Sequence, residues 1–307
     1  MSFGLPVTLT RDGLCPGSGL YLDRVNLHQI NVSSSHISYN RLGGIRIESS
    51  EVRNLQITGN DIEYNNAKSH GDLPSEPTAE IWIDATEPKA SVNEITIASN
   101  TIQATRSPGG ANIRILEKAD TGRPPGLIAI TGNVIGSQEN NVHLSGVYGV
   151  TISGNSIYSC AQRNLLVENS SLVTIGSNHF RRHTSAMGTG VRLTDSSDCT
   201  ISGCTFRDES EEGQASGASL LELEGCRRVA VTGCVFADGV PYGVDAANCS
   251  DIRITGCIIS GEHHIRRPMG ALRFRGLGKR NGIATNNLLG NIDISPEAGV
   301  SFNENIN

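Results

Sequence analysis

One six-residue pattern recurs along this chain, and its recurrence leaves few folds open. It reads ITGNDI from Ile57, IASNTI from Ile97, ITGNVI from Ile130, ISGNSI from Ile152 and IGSNHF from Ile175. It continues as ISGCTF from Ile201, VTGCVF from Val231, ITGCII from Ile254 and IATNNL from Ile283, with a degenerate VSSSHI from Val32. Successive copies lie 22 to 40 residues apart, several of them at 22 or 23. Periods in that range mark solenoids and related arrays, whose units bury an apolar face only by stacking on their neighbours.

A second short strand follows each copy. These strands read GGIRIE, AEIWID, ANIRIL, NNVHLS, RNLLVE, GVRLTD, SLLELE, YGVDAA and GALRFR, with GLYLDR ahead of them. Each alternates apolar and polar residues, the period of a strand with one buried face. A coil therefore holds two or three short strands joined by Gly, Asn and Ser turns. The expected fold is all-β, a single right-handed parallel β-helix of about ten coils. It forms one domain over 1–307, with a lead-in over 1–19, coils over about 20–291 and a tail over 292–307.

The turn column supports stacking. Asn60, Asn100, Asn133, Asn155 and Asn178 share one position, and Asn286 rejoins it. Stacked Asn side chains form amide ladders between rungs about 4.8 Å apart, and Asn tolerates a left-handed turn. Cys204, Cys234 and Cys257 take the same slot in three coils, where they read as buried thiols. Cys199 falls in a core column with Val150, Val173, Val229 and Ile252. The cysteines are spread by the coil spacing and contain no CxxC, which argues against a structural zinc. His179 and His183, and the pair His263–His264, read as turn or loop residues.

The net charge of −6 offers no broad basic surface for nucleic acid. No apolar run approaches the roughly 20 residues that span a bilayer. The N-terminal MSFGLPVTLTRDG lacks the pattern of a signal peptide, so the chain reads as cytoplasmic or as the mature part of an exported protein. No motif requires a cofactor, which leaves calcium open. The sequence leaves the oligomeric state open too, a trimer included.

The run of I-[TS]-G-[NC] coils resembles the parallel β-helix repeats of the pectin-lyase-like superfamily, from about Leu20 to Asn291. That resemblance implies the fold and a carbohydrate-related role. IWIDAT resembles the WIDH segment of pectate lyases, with Trp82 and Asp84 matched and Ala85 in place of their His. The NTD, DD, GHG and RIK motifs of polygalacturonases of this fold are absent, RIL at Arg114 being nearest to the last. The resemblance therefore assigns no catalytic residue.

The residues themselves suggest where chemistry could sit. Two outward columns emerge from the second strands. One reads Tyr21, Arg46, Trp82, Arg114, His143, Leu166, Arg192, Glu222, Asp245, Arg273. The other reads Asp23, Glu48, Asp84, Leu116, Ser145, Glu168, Thr194, Glu224, Ala247, Arg275. Together they form a polar stripe suited to an extended polysaccharide or oligosaccharide. Trp82, the sole tryptophan, would stack a sugar ring, helped by Arg46, His143, Glu168 and Arg192. Glu48, Asp84 and Arg114 are the candidate catalytic groups, since two carboxylates on adjacent rungs suit glycoside hydrolysis and an arginine suits β-elimination. Insertions over 65–78, 86–91 and 117–126 would wall a cleft around Trp82. The reading inclines to a polysaccharide lyase or glycoside hydrolase. A non-catalytic structural or adhesive solenoid is the alternative: an enzyme should show Glu48, Asp84 or Glu168 with a perturbed pKa beside Trp82, and a solenoid should show them solvated and paired to Arg.

Overall fold

A computed structural model describes residues 17–66, 77–118, 126–182, 188–208, 218–261 and 270–306. Cys15, His183, His263, His264 and most of the expected insertions lie outside the described residues. Within them the chain winds as a right-handed parallel β-helix, and all the strand pairings are parallel.

Each full coil has three strands. The first face carries the strands Ser18–Asp23, Gly43–Glu48, Ala79–Ala85 and Ala111–Glu117, and continues to Asn291–Ile294. The second face is an eleven-stranded sheet from Asn26–Ser33 to Val300–Asn303. The third face is built from three-residue strands such as His36–Ser38 and Asp61–Glu63. Val134–Ser145 and Ser156–Glu168 run without a break from the third face onto the first, in the shortest coils. The ladder extends past the expected last coil: Asn291–Ile294 pairs with Gly270–Arg275, and Val300–Asn303 with Asn281–Ala284.

Register explains the core. Ile57, Ile97, Ile130, Ile152, Ile175, Ile201, Val231, Ile254 and Ile283 pair rung on rung, and all are fully buried. On the third face the inward position carries Ile62, Ile102, Ile135, Ile157, and then Phe180, Phe206 and Phe236. The three rings stack, with centroids 4.9 and 4.5 Å apart. Rung spacing is near the offset-stacking distance of aromatic rings, so like residues fit best above one another.

The Asn column is an amide ladder. Asn60 Nδ2 donates to Asn100 Oδ1 at 3.0 Å, Asn100 to Asn133 at 3.0 Å, Asn133 to Asn155 at 3.0 Å and Asn155 to Asn178 at 2.9 Å. Each carboxamide oxygen also takes the backbone N–H of the preceding coil's Asn, as Asn155 Oδ1 does from Asn133. The turn amides that a tight corner would orphan are thereby satisfied. Cys204, Cys234 and Cys257 replace the amide with a thiol that donates to backbone carbonyls.

The seven described cysteines are all free and buried. Burial keeps reagents from all seven; it also raises the Cys160 thiol and pushes Cys199 up to about 11, whereas hydrogen bonds with neighbouring thiols lower Cys226 and Cys257. Thiolate is the reactive form. These thiols are expected to label far more slowly with a maleimide in native buffer than after denaturation. Rapid labelling of three or more in the folded protein would contradict their place in the core.

Candidate functional site

The two outward columns stand in register as one stripe on the first face. Tyr21, Arg46, Trp82, Arg114, His143 and Leu166 pair in turn, and Asp23, Glu48 and Asp84 run beside them. Parallel in-register pairing makes neighbours of equivalent residues in successive coils, about 4.8 Å apart.

Trp82 is the centre of this stripe, but it is not an open platform. Arg46 lies over its ring with the guanidinium carbon 4.6 Å from the centroid, and Arg114 lies over it at 4.8 Å. The two arginines come from the coils on either side, so cation–π contacts cover both faces of the indole. The expectation of a sugar ring stacked flat on Trp82 is therefore revised. Only the ring edge is left to meet a ligand.

The carboxylates near Trp82 are engaged. Glu48 accepts from Arg46 Nε at 2.8 Å and from the Tyr21 hydroxyl at 2.8 Å. The phenol of Tyr21 is raised by that bond. Asp84 accepts from the Thr86 amide at 3.0 Å and its hydroxyl at 2.7 Å, which closes the turn after the strand. Glu168 holds His143 Nε2 at 2.8 Å. Arg192 stands beyond Leu166 and is tied to Glu224, so it does not join the Trp82 cluster.

Arg114 is different. It is 6% exposed, its Nη2 donates to the Gly109 carbonyl, and its Nε has no partner. Burial lowers its pKa, partly opposed by the charge of Glu139. Trp82 Nε1 and His143 Nδ1 are also buried without a partner. Burial holds His143 below its ordinary pKa, against the pull of Glu168, which favours neutral imidazole at pH 7. Three consecutive rungs of one outward column thus each carry an unsatisfied nitrogen. Such atoms are uncommon in folded proteins.

Two acids escaped the sequence reading. Glu80, two residues before Trp82, is fully buried, and burial pushes it up to about 8. Glu117, three residues after Arg114, is pushed up to about 8 in the same way. The signal for Glu80 was present, because AEIWID aligns it with the second residue of ANIRIL, a position buried in both.

A cavity of about 280 Å³ opens at the corner between the first and second faces, lined by His28, Arg53, Lys89 and Lys118.

A family model described as a right handed beta helix region matches residues 81–220. No curated protein sequence matches the chain. Among solved structures, DFA-IIIase from Arthrobacter chlorophenolicus A6 in complex with GF2 is similar with a TM-score of 0.56 at 11% identity, over 94% of this chain and 70% of that one. The enzymatically active domain of tailspike protein 2 from bacteriophage CBA120 is similar at 0.53 and 10% identity, over 92% and 47%. The A-module of Azotobacter vinelandii mannuronan C-5 epimerase AlgE6 gives 0.49 and 14% identity, over 91% and 65%. The chain thus spans less than two thirds of the tailspike domain and of the epimerase module. Likeness at such identity is likeness of fold. The chain thus has the right-handed parallel β-helix fold, built from stacked repeats.

Proposed function

We propose that the protein binds a polysaccharide along the first face, centred on Trp82, Arg114 and His143. The observation that carries this reading is the row of three buried, unpartnered nitrogens in consecutive rungs. A glycan's hydroxyl and ring oxygens would accept from Trp82 Nε1 and Arg114 Nε, and one of its hydroxyls would donate to His143 Nδ1, which is the acceptor nitrogen when Nε2–H is held by Glu168. The similar β-helix structures of DFA-IIIase and of an enzymatically active tailspike domain lend support at the level of fold.

Binding is better supported than cleavage. Glu48 and Asp84, the acids expected to act on a glycosidic bond, are both held as acceptors inside the stripe. The structural-solenoid reading has its own support in the C-terminal half. There Arg163 binds Glu222 at 2.6 Å and Arg273 binds Asp245 at 2.7 Å, a stripe closed on itself.

Arg114→Ala is expected to weaken glycan binding by about tenfold or more, the loss of a charge-assisted hydrogen bond. Isothermal titration against a polysaccharide panel measures it, with assays for new reducing ends and unsaturated products run on the same samples. Arg114→Lys keeps the charge but not the fork, and should fall between. Unchanged affinity in both variants would favour the structural solenoid.

A further inference from the structure

A second cluster, on the third face, has no part in the first-face row. Tyr39 and Tyr64 follow equivalent strands of successive coils, at the corner leading to the first face. Their rings stack with centroids 5.8 Å apart and planes 28° apart, and Tyr39 is 58% exposed. The Tyr64 hydroxyl accepts from Gln103 Nε2 at 2.7 Å, and Gln103 Oε1 accepts from the Tyr158 hydroxyl at 2.9 Å. Tyr158 reaches Gln103 by lying across Gly136, where a Cβ would sit 2.3 Å from its ring. His36, Asp61 and Glu63 form the rim, with ligand atoms within 4.8 Å of one another.

The backbone makes this corner unusual. Tyr39 and Tyr64 have φ of 58° and 57°. Other coils fill the same position with Ser137, Ser159 and Asp238, also at positive φ. Small polar residues tolerate that region, whereas a bulky aromatic there is an outlier that persists when something else requires it. What the aromatics add is an exposed ring in a polar setting. Rings flanked by carboxylates and an amide suit a sugar, whose C–H face stacks while its hydroxyls bond the rim.

We propose that the Tyr39–Tyr64 corner is a subsite for a neutral sugar ring, separate from the first-face row. The rim sets the class of sugar. Asp61 and Glu63 outnumber His36, and Glu63 is already raised by burial and by the charge of Asp61. A sugar carboxylate, sulfate or phosphate would meet repulsion there, whereas a neutral pyranose or furanose would not.

The probes are fructo-, xylo- and cello-oligosaccharides, with an oligouronate of matched length as the charged counterpart. Affinity is read by titration for the wild type, Tyr39→Gly, Tyr39→Phe and Arg114→Ala. A neutral oligosaccharide should bind the wild type, and Tyr39→Gly should weaken it at least tenfold. Tyr39→Phe should keep most of the affinity. Glycine accepts the positive φ freely, so the melting temperature of Tyr39→Gly should not fall, and loss of binding then reports the ring and not the fold. Tyr39→Ser, the residue type found at this corner in two other coils, gives the same reading should the glycine variant fail to fold. Binding of the neutral probe should survive Arg114→Ala. Neutral-probe affinity unchanged in Tyr39→Gly, or binding of the oligouronate alone, overturns the subsite and leaves the first-face reading standing. Loss in Tyr39→Gly without loss in Arg114→Ala supports the subsite against the first-face row. Absence of binding to any probe overturns both.

Discussion

Glu80→Gln is expected to stabilise the protein at pH 8 by several kcal/mol and to flatten its stability between about pH 4.5 and 8. The reason lies in a second ladder. Asn40 Nδ2 donates to Asn65 Oδ1 at 2.7 Å, and Asn65 Nδ2 donates to Glu80 Oε2. The Asn65 amide occupies the space left by Gly44, where a Cβ would meet it at 3.1 Å. One rung on, Asn112 Nδ2 donates to Asn141 Oδ1 at 2.9 Å, and Asn141 to Asn164 at 2.8 Å. Every step donates toward the C-terminal end. Glu80 and Asn112 pair across adjacent rungs, since Ala79 pairs with Ala111 and Ile81 with Ile113. Asn112 Oδ1, however, has no donor. A carboxylate cannot supply one, but a carboxylic acid can.

The pH dependence follows from linkage. The folded carboxyl titrates near 8 and the unfolded one near 4.5. A raised folded pKa means stability is fully present below the unfolded value and is lost as pH rises through the folded one. Between the two the native state holds a proton that the unfolded state has released, so stability falls by about 1.4 kcal/mol per pH unit. Asn65 donates to both carboxyl oxygens, its backbone amide to Oε1 and its side chain to Oε2. Glutamine has one oxygen to take both, as each Asn oxygen of the other ladder does, and offers a permanent donor to Asn112. Glu117, raised to about 8 by burial, adds a slope of the same sign, so the double variant with Glu117→Gln should be flatter still. Urea denaturation at pH 5, 6.5 and 8 measures this. A Glu80→Gln variant less stable than wild type at pH 8 would mean that the carboxylate is the form the fold requires.

Phe206→Ala is expected to destabilise the protein by about 3–5 kcal/mol, the upper range for a buried aromatic. Phe206 is fully buried between Phe180 and Phe236. Cavities cost less where neighbours can collapse into them. Here the rung spacing is fixed by backbone hydrogen bonds on all three faces, so the flanking rings cannot close the gap along the axis. Phe206→Leu should lose less, and Phe302→Ala, on the partly exposed last rung, should lose little. Equilibrium denaturation compares the three. A loss below about 1.5 kcal/mol for Phe206→Ala would show that the stack relaxes.

The fold was legible because the pattern was written many times over. Ile130 and Ile152 name the same core column, and Arg46, Trp82 and Arg114 name the same outer one, from strand alternation alone. Side-chain direction along a column was not legible. Nothing in AEIWID says that the arginines above and below would fold over the indole and close it. The partners of the acids were not legible for a related reason: alternation turns Glu48 and Asp84 outward, but it does not say that they accept from the local Arg46 and Thr86. The tyrosine corner was overlooked although HISYN and DIEYN repeat the same Tyr-Asn pair 25 residues apart, because the strand columns drew the reading to another face.

The shared register also makes the molecule a ruler. Thr101, Val134, Ser156 and His179 occupy one position in four consecutive coils, and the step between the two strands that open the shortest of these coils is 22 residues. Removing 134–155 would join Asn133 to Ser156 and set Ser156 against Thr101, with each core column shortened by one member and none displaced. Removing a stretch from this point that does not end at an equivalent position of a later coil would shift strands onto the wrong faces. Length in such a chain changes only in whole coils, about 4.8 Å at a time. A bound polymer would therefore gain or lose contacts in steps of one rung, and relatives of different length would differ by how many rungs they present.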